Sequence, residues 1–414
     1  MLVNWLLVLV ALWCVRYYWS RRRLYQCARQ RPSPFALPFV GNAFYLFGHS
    51  RDIFDKVFKF HSIFASPTPL WLGSHLFFII WDPQNLKIVL NNQNCLRKSF
   101  FYKYIEDAIG RGLISHDVPK WKRHRKMIGL IFNKKVLNSF VEIFYNKSLI
   151  LSQRFEKLAG ENTDVFDVFS CFAVDVLMQT GVGVDANAQT SDCHQAQWFN
   201  TAKDVTFIRM NNIFYHFDFI FRLSSYSKQF YQAINNIETM IGSVVKEQIA
   251  LNLKQNTFLQ QLIEASNGDD DFTETDLIEE VITFLIGGND TVSTTLSYTL
   301  MVLGMYPDIQ EKIYVEVKNT VGLDQPITHT DLFDPDRFGS EVIRDPYSWI
   351  PFSSGPRNCV AFKYAFMVMK VAIATLIRNY QFSSTYKNVA DIKFQANLLL
   401  KPIDGFKVSV QLRK

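Results

Sequence analysis

Long stretches of the chain repeat apolar residues at every third or fourth position. Residues 134–160, 226–264 and 274–306 carry this spacing, which predicts amphipathic helices. The run "ASNGDDD" at 265–271 breaks the pattern as a polar, acidic loop, and the "TETD" behind it is a helix start. A further apolar segment, 360–380, predicts a helix of about 20 residues. Strand-like runs are fewer, "LFFIIWD" at 76–82 among them. The pattern is that of a mainly helical chain with a minor β-sheet part, free of repeats and low-complexity tracts.

The N-terminus departs from it. Trp5 to Val15 is unbroken apolar sequence, followed by Arg16, the aromatic "YYW" and the basic "SRRR". A spanning helix needs about 20 mostly apolar residues. Residues 1–19 reach that length when Arg16 snorkels and Tyr17, Tyr18 and Trp19 sit at the interface. No basic residue precedes the run and no small-residue cleavage site follows, which disfavours a signal peptide. Arg21–Arg23 place the following chain on the cytosolic side. The prediction is a single-pass N-terminal anchor. A basic, proline-rich hinge follows at 20–40, too rich in proline for a helix interior or a central strand. The body then runs through 41–414.

Composition adds an apolar interior. Of 414 residues, 48% are apolar and 37 are phenylalanine, which suits one continuous core or an apolar cavity. A net charge of +6 is mild, and no nucleic-acid partner is expected. The six cysteines form no Cys-x-x-Cys pair, so neither a disulfide framework nor a structural zinc site is indicated.

Three constellations carry chemistry. In "EEVITFLIGGNDTVSTTLSYTLM" (279–301), Gly287 and Gly288 interrupt a helical pattern. They permit either a local opening of the hydrogen-bond ladder, with Asp290 and Thr291 left to bind water or a small ligand, or a close helix contact. In "PKWKRHRKMIGLIF" (119–132), Trp121 and Arg125 share one helical face. They suit a planar anionic group, or else a solvated basic face. In "PFSSGPRNCVAF" (351–362), Cys359 precedes a helix, and the helix dipole with Arg357 favours its thiolate. A nucleophile there needs a base, and no local residue supplies one. A thiolate ligand of haem iron fits: Arg357 neutralises a propionate and Gly355 lets the backbone approach the porphyrin.

In this order and at these separations the motifs resemble the membrane-anchored cytochrome P-450 (haem-thiolate monooxygenase) family, most like the group of fatty-acid ω-hydroxylases and their insect relatives. "FSSGPRNCVA" is similar to the family's haem loop, "GGNDT" to its distal-helix pattern and "WKRHR" to Trp-x-x-x-Arg. "FALPFVGN" (35–42) and "FDPDRF" (333–338) match as well. The resemblance implies the cytochrome P-450 fold and haem b, with Cys359 as the axial iron ligand and Phe352 shielding its sulfur. It implies that Arg357, Trp121 and Arg125 hold the propionates and that Gly287 and Gly288 make room for O2. Asp290 and Thr291 would relay protons on the distal side. Electrons would come from NADPH through NADPH–cytochrome P-450 reductase, with a b-type cytochrome as a second donor. Lys122, Arg123, Lys126 and Lys363 are the implied docking face. The site would insert one oxygen atom from O2 into an apolar fatty acid, terpenoid or xenobiotic at the endoplasmic reticulum membrane. The implied recognition segments are 97–117, 206–221, the distal helix and the turn at Leu398–Lys401. Gly287 stands where many ω-hydroxylases carry a glutamate esterified to haem, so no ester is expected, and Ala361 replaces the last glycine of the loop.

One core segment is missing. "GLDQPITHTDL" runs into "FDPDRF" at Leu332–Phe333, where the family carries a Glu-x-x-Arg helix and pocket-lining strands. The "EVIR" at Glu341–Arg344 follows the Asp-Pro-Asp-Arg-Phe stretch and is not that helix. Arg337 thereby loses its ion-pair partners, and an unpaired buried charge costs several kcal/mol. Two readings follow: a haem-thiolate monooxygenase, or a truncated, haem-deficient form of one.

Overall fold

The computed structural model describes residues 2–46, 48, 50–251, 256–328 and 345–413. Leu332–Phe333, the "FDPDRF" stretch and Glu341–Arg344 lie outside the described residues. The chain divides into two compact units, one of 1–95 with 342–357 and one of 96–341 with 358–414.

The first unit holds helices α1 (Leu2–Ser20), α2 (Arg22–Arg29), α3 (Ser50–Ile63) and α4 (Pro83–Asn91), and strands β1 (Thr68–Leu72) and β2 (His75–Ile79). Helix α1 is apolar on every side, exposed, and long and apolar enough to cross a membrane. The hinge is tied down at its end by Asn42. Its amide donates to the Phe35 and Pro34 carbonyls (2.8 and 3.1 Å), and its Oδ1 accepts from Trp71 N–H (2.7 Å). The expected strand at 76–82 stops at Ile79, because Pro83 opens α4 and the Asp82 carboxylate caps it by accepting from Asn85 N–H (2.8 Å).

The second unit contains α5 (Tyr102–Ile109), α6 (Val118–Ile131), α7 (Lys134–Ser139), α8 (Val141–Lys157), α9 (Phe166–Val182), α10 (His194–Asn211), α11 (Asp218–Arg222), α12 (Ser225–Leu251), α13 (Phe258–Ser266), α14 (Glu274–Met305), α15 (Pro307–Thr320) and α16 (Phe362–Asn379). Its strands are β3 (Asn162–Asp164), β4 (Tyr380–Ser383), β5 (Phe394–Gln395), β6 (Lys401–Pro402) and β7 (Lys407–Leu412). The helix predictions land on α7–α8, on α12–α13, on α14 and on α16. Helix α14 starts at the predicted "TETD", where Thr273 and Asp276 form a reciprocal capping box.

The core lies around α9, which is buried on nearly all faces and packs along α14, with α8 beside α16. Phe144, Phe155, Phe169 and Phe172 are fully buried there, so much of the phenylalanine serves packing. Strands β3, β7 and β4 form an antiparallel sheet in that order, with Val408 and Val410 of β7 facing inward. Gly304 lets α14 meet this sheet: a Cβ there would lie 2.7 Å from the Ser383 carbonyl carbon.

Candidate active site

The predicted site residues fall in both units. In the first unit, Phe352 and Arg357 are half-buried in a turn-rich stretch. Gly355 has φ +72°, and a Cβ on it would stand 2.1 Å from the Leu90 carbonyl oxygen. The glycine is therefore required by the α4 backbone, a reason the sequence did not suggest.

In the second unit, Cys359 stands just before α16. Burial pushes its thiol above the ordinary range, while a hydrogen bond from Ala361 N–H and the Arg125 guanidinium pull the other way. This corrects the expectation that the helix terminus would favour the thiolate: desolvation outweighs both stabilising contacts. Arg125, half-buried on α6, donates from Nη2 to Asn358 Oδ1 (2.5 Å), and no carboxylate among the described residues pairs with it. Its own titration is lowered by burial. Trp121, one turn earlier, is buried at 4% exposure. Helix α6 thus brings the Arg125 guanidinium to the cysteine, with the buried Trp121 ring one turn before it on the helix. That donor set fits a thiolate-ligated, anionic planar group: a metal would hold the sulfur deprotonated, and an acid would satisfy Arg125.

Helix α14 runs unbroken through Gly287 and Gly288. The expected opening is not present; the Thr291 hydroxyl donates to the Gly287 carbonyl (2.9 Å). A Cβ on Gly288 would lie 2.7 Å from Leu177 Cδ2, so this glycine serves contact with α9, whereas at Gly287 the nearest atom is Ile114 Cδ1 at 3.4 Å. Asp290 is not left open to a ligand either. It pairs with Lys203 of α10 (2.6 Å), a side chain 4% exposed. Lys203 also donates to Asn200 (3.1 Å), and with Lys401 it lies over the Phe166 ring. Burial and then repulsion from Lys203 hold Lys401 below the ordinary lysine range.

Two of the predicted recognition segments of this unit, 97–117 and the turn at Leu398–Lys401, reach α14. Ile114 faces Gly287, and the turn before β6 is held by a hydrogen bond from the Tyr298 hydroxyl to the Leu400 carbonyl (2.9 Å). Of the predicted docking residues, Lys122, Lys126 and Lys363 are exposed, while Arg123 is engaged by Asp271 and Asp269. Sequence reasoning missed a buried pair: His124 Nδ1 meets Glu280 Oε1 at 2.6 Å. Both residues stand inside the motifs quoted above, but nothing local links positions 156 apart.

A mainly helical unit with a half-buried cysteine beside the Arg125 guanidinium fits a haem-thiolate class of protein. Comparison with known proteins agrees. The family model "Cytochrome P450" matches residues 32–332 and 331–410. Cytochrome P450 4c21 of Blattella germanica is 26% identical, covering 99% of this chain and 98% of that protein. Cytochrome P450 4g1 of Drosophila melanogaster is 28% identical over 96% and 92%, and human cytochrome P450 4X1 is 23% identical over 96% and 94%. The crystal structure of the cytochrome P450DA heme domain superposes with a TM-score of 0.78 at 18% identity, covering 93% of this chain and 97% of that one. The chain belongs to the cytochrome P450 family. It is a monooxygenase, an oxidoreductase of the kind that uses haem, O2 and electrons from a reductase. It is also short: the alignment with the Blattella relative spans 495 positions against 414 residues, and the family match breaks at 331–332, beside the seam read from the sequence.

Proposed function

We propose that the chain is a membrane-anchored haem-thiolate monooxygenase acting on an apolar substrate of the fatty-acid, terpenoid or xenobiotic class. The observation that carries this reading is Cys359 with Arg125 beside it on α6, an arginine that no described carboxylate satisfies. Cys359 would be the axial ligand, shielded by Phe352, and Arg125, Trp121 and Arg357 would hold the propionates. Bound haem supplies the activation of O2. Thr291 and Asp290 carry protons toward that side, and Gly287 keeps it open while offering no carboxylate for an ester. The exposed Lys122, Lys126 and Lys363 are a docking face for a reductase or a b-type cytochrome. Helix α1 anchors the chain, placed here in the endoplasmic reticulum.

The test is a reduced carbon-monoxide difference spectrum of the membrane-inserted chain beside its Cys359→Ser variant. A thiolate-type Soret band in the first and none in the second is the expected result. Its absence from well-folded wild type overturns the reading. The family match is split beside residue 332, and the same spectrum tests the alternative of a haem-deficient truncated form. In a loaded chain, acid extraction should release unmodified haem, as Gly287 requires. Asp290→Asn should slow turnover by about 10²-fold with substrate-induced spectral shifts unchanged.

A further inference from the structure

We infer that the buried His124–Glu280 pair is a positioning pin that registers the cofactor-holding helix against the distal helix. The inference rests on the reading above and deepens it. His124 is fully buried on α6, three residues after Trp121 and adjacent to Arg125. Glu280 is 1% exposed on α14. At 2.6 Å their contact is a short hydrogen bond between two buried polar groups, each of which costs free energy if left without the other. The second carboxylate oxygen, Oε2, accepts from Leu113 N–H (2.9 Å), and His116 Nε2 stands 3.7 Å from Oε1. Glu280 therefore ties three elements at one point: α14, α6 and the 110–117 loop.

That loop lies flat on α14. A Cβ on Gly112 would fall 1.9 Å from the Thr283 hydroxyl, and one on Gly110 would fall 2.7 Å from Glu279 Cγ. Its Ile114 reaches Gly287. Along α14, Glu280 and Thr291 are eleven residues apart, which places them about 20° apart around the axis and about 16 Å along it. Gly287 falls on the same face. The helix face that meets O2 is thus fixed at its other end by the group that fixes Arg125's helix. A slip of α6 would move Arg125 and Trp121 together relative to Gly287 and Thr291.

The neighbouring Asp276 does not make this cluster a cation site. Its carboxylate already accepts from Thr273 N–H and Oγ1 (3.0 Å each) and from Lys120. It also lies in the first turn of α14, where the helix dipole favours anions.

The experiment uses the full membrane chain with His124→Ala, Glu280→Ala, the double variant, and His124→Gln, which keeps a donor for Glu280. Ile128→Ala is the packing control: Ile128 is 2% exposed and one turn along the same face of α6. The readouts are the unfolding midpoint and the rate at which haem passes to apomyoglobin. His124→Ala should release haem about ten-fold faster, in line with the usual effect of removing an outer-shell partner. Ile128→Ala should lower the midpoint with near wild-type release, His124→Gln should recover most of the retention, and the double variant should melt no lower than the worse single. Equal haem release by His124→Ala and Ile128→Ala overturns the inference, as does an additive double variant. A folded wild type without a thiolate-type band overturns the functional reading instead. The pin then stands or falls on the unfolding cycle.

Discussion

At the residue scale, the site is governed by desolvation. Cys359 shows it most directly: burial pushes its thiol up, against the pull of Ala361 N–H and the Arg125 guanidinium. Asp290 has its charge partner in Lys203. Lys203→Met leaves a carboxylate nearly buried beside a lysine that is itself held below its normal range, and should destabilise the fold by on the order of 3 kcal/mol. Denaturant titration of the variant checks this, and a change within error would show that Lys401 replaces the lost partner. Glu280 gives a pH dependence. Burial raises its carboxyl above the unfolded value, against the pull of His124 and Leu113 N–H. A raised acid contributes stability that is complete below the unfolded carboxylate value and is lost as pH rises through the folded value. The stability difference between wild type and Glu280→Gln should therefore move against wild type as pH increases above about 4.3, read from melting midpoints across a pH series.

At the element scale, α14 organises the second unit, and its glycines do different work. At Gly304 a methyl would strike the backbone of Ser383 and Ser384 at 2.7–2.8 Å, which cannot yield without separating α14 from β4. At Gly288 it would strike the end of the Leu177 side chain, which can turn aside. Gly304→Ala should thus cost about 1–3 kcal/mol. Gly288→Ala should cost clearly less, since the helix gains about 1 kcal/mol from alanine. Thermal unfolding of the two variants tests the order, and the reverse order would contradict the packing argument. The helix itself was legible in the sequence, because its capping box and apolar spacing act within a turn or two. The expected opening at its glycines was not, because a pair of glycines reads the same whether it spreads a helix or seats a neighbour.

At the scale of the whole molecule, the interruption beside residue 332 matters most. Inserting between Leu332 and Phe333 the stretch that the relatives carry should raise both haem occupancy and melting midpoint, since a domain's margin is only about 5–15 kcal/mol. Equal occupancy in the native and lengthened chains, measured by the pyridine haemochrome, would show that the short form is self-sufficient. By itself the sequence determined the helical class, the N-terminal apolar helix, the cysteine before α16 and the place of the interruption. Those features rest on spacing and residue type within a few positions. The tertiary structure alone decided the burial of Cys359, the partner of Asp290, the close packing at Gly355 and the His124–Glu280 pair. Such properties are set by burial and by groups 87, 156 or 233 positions away along the chain, which no local pattern encodes.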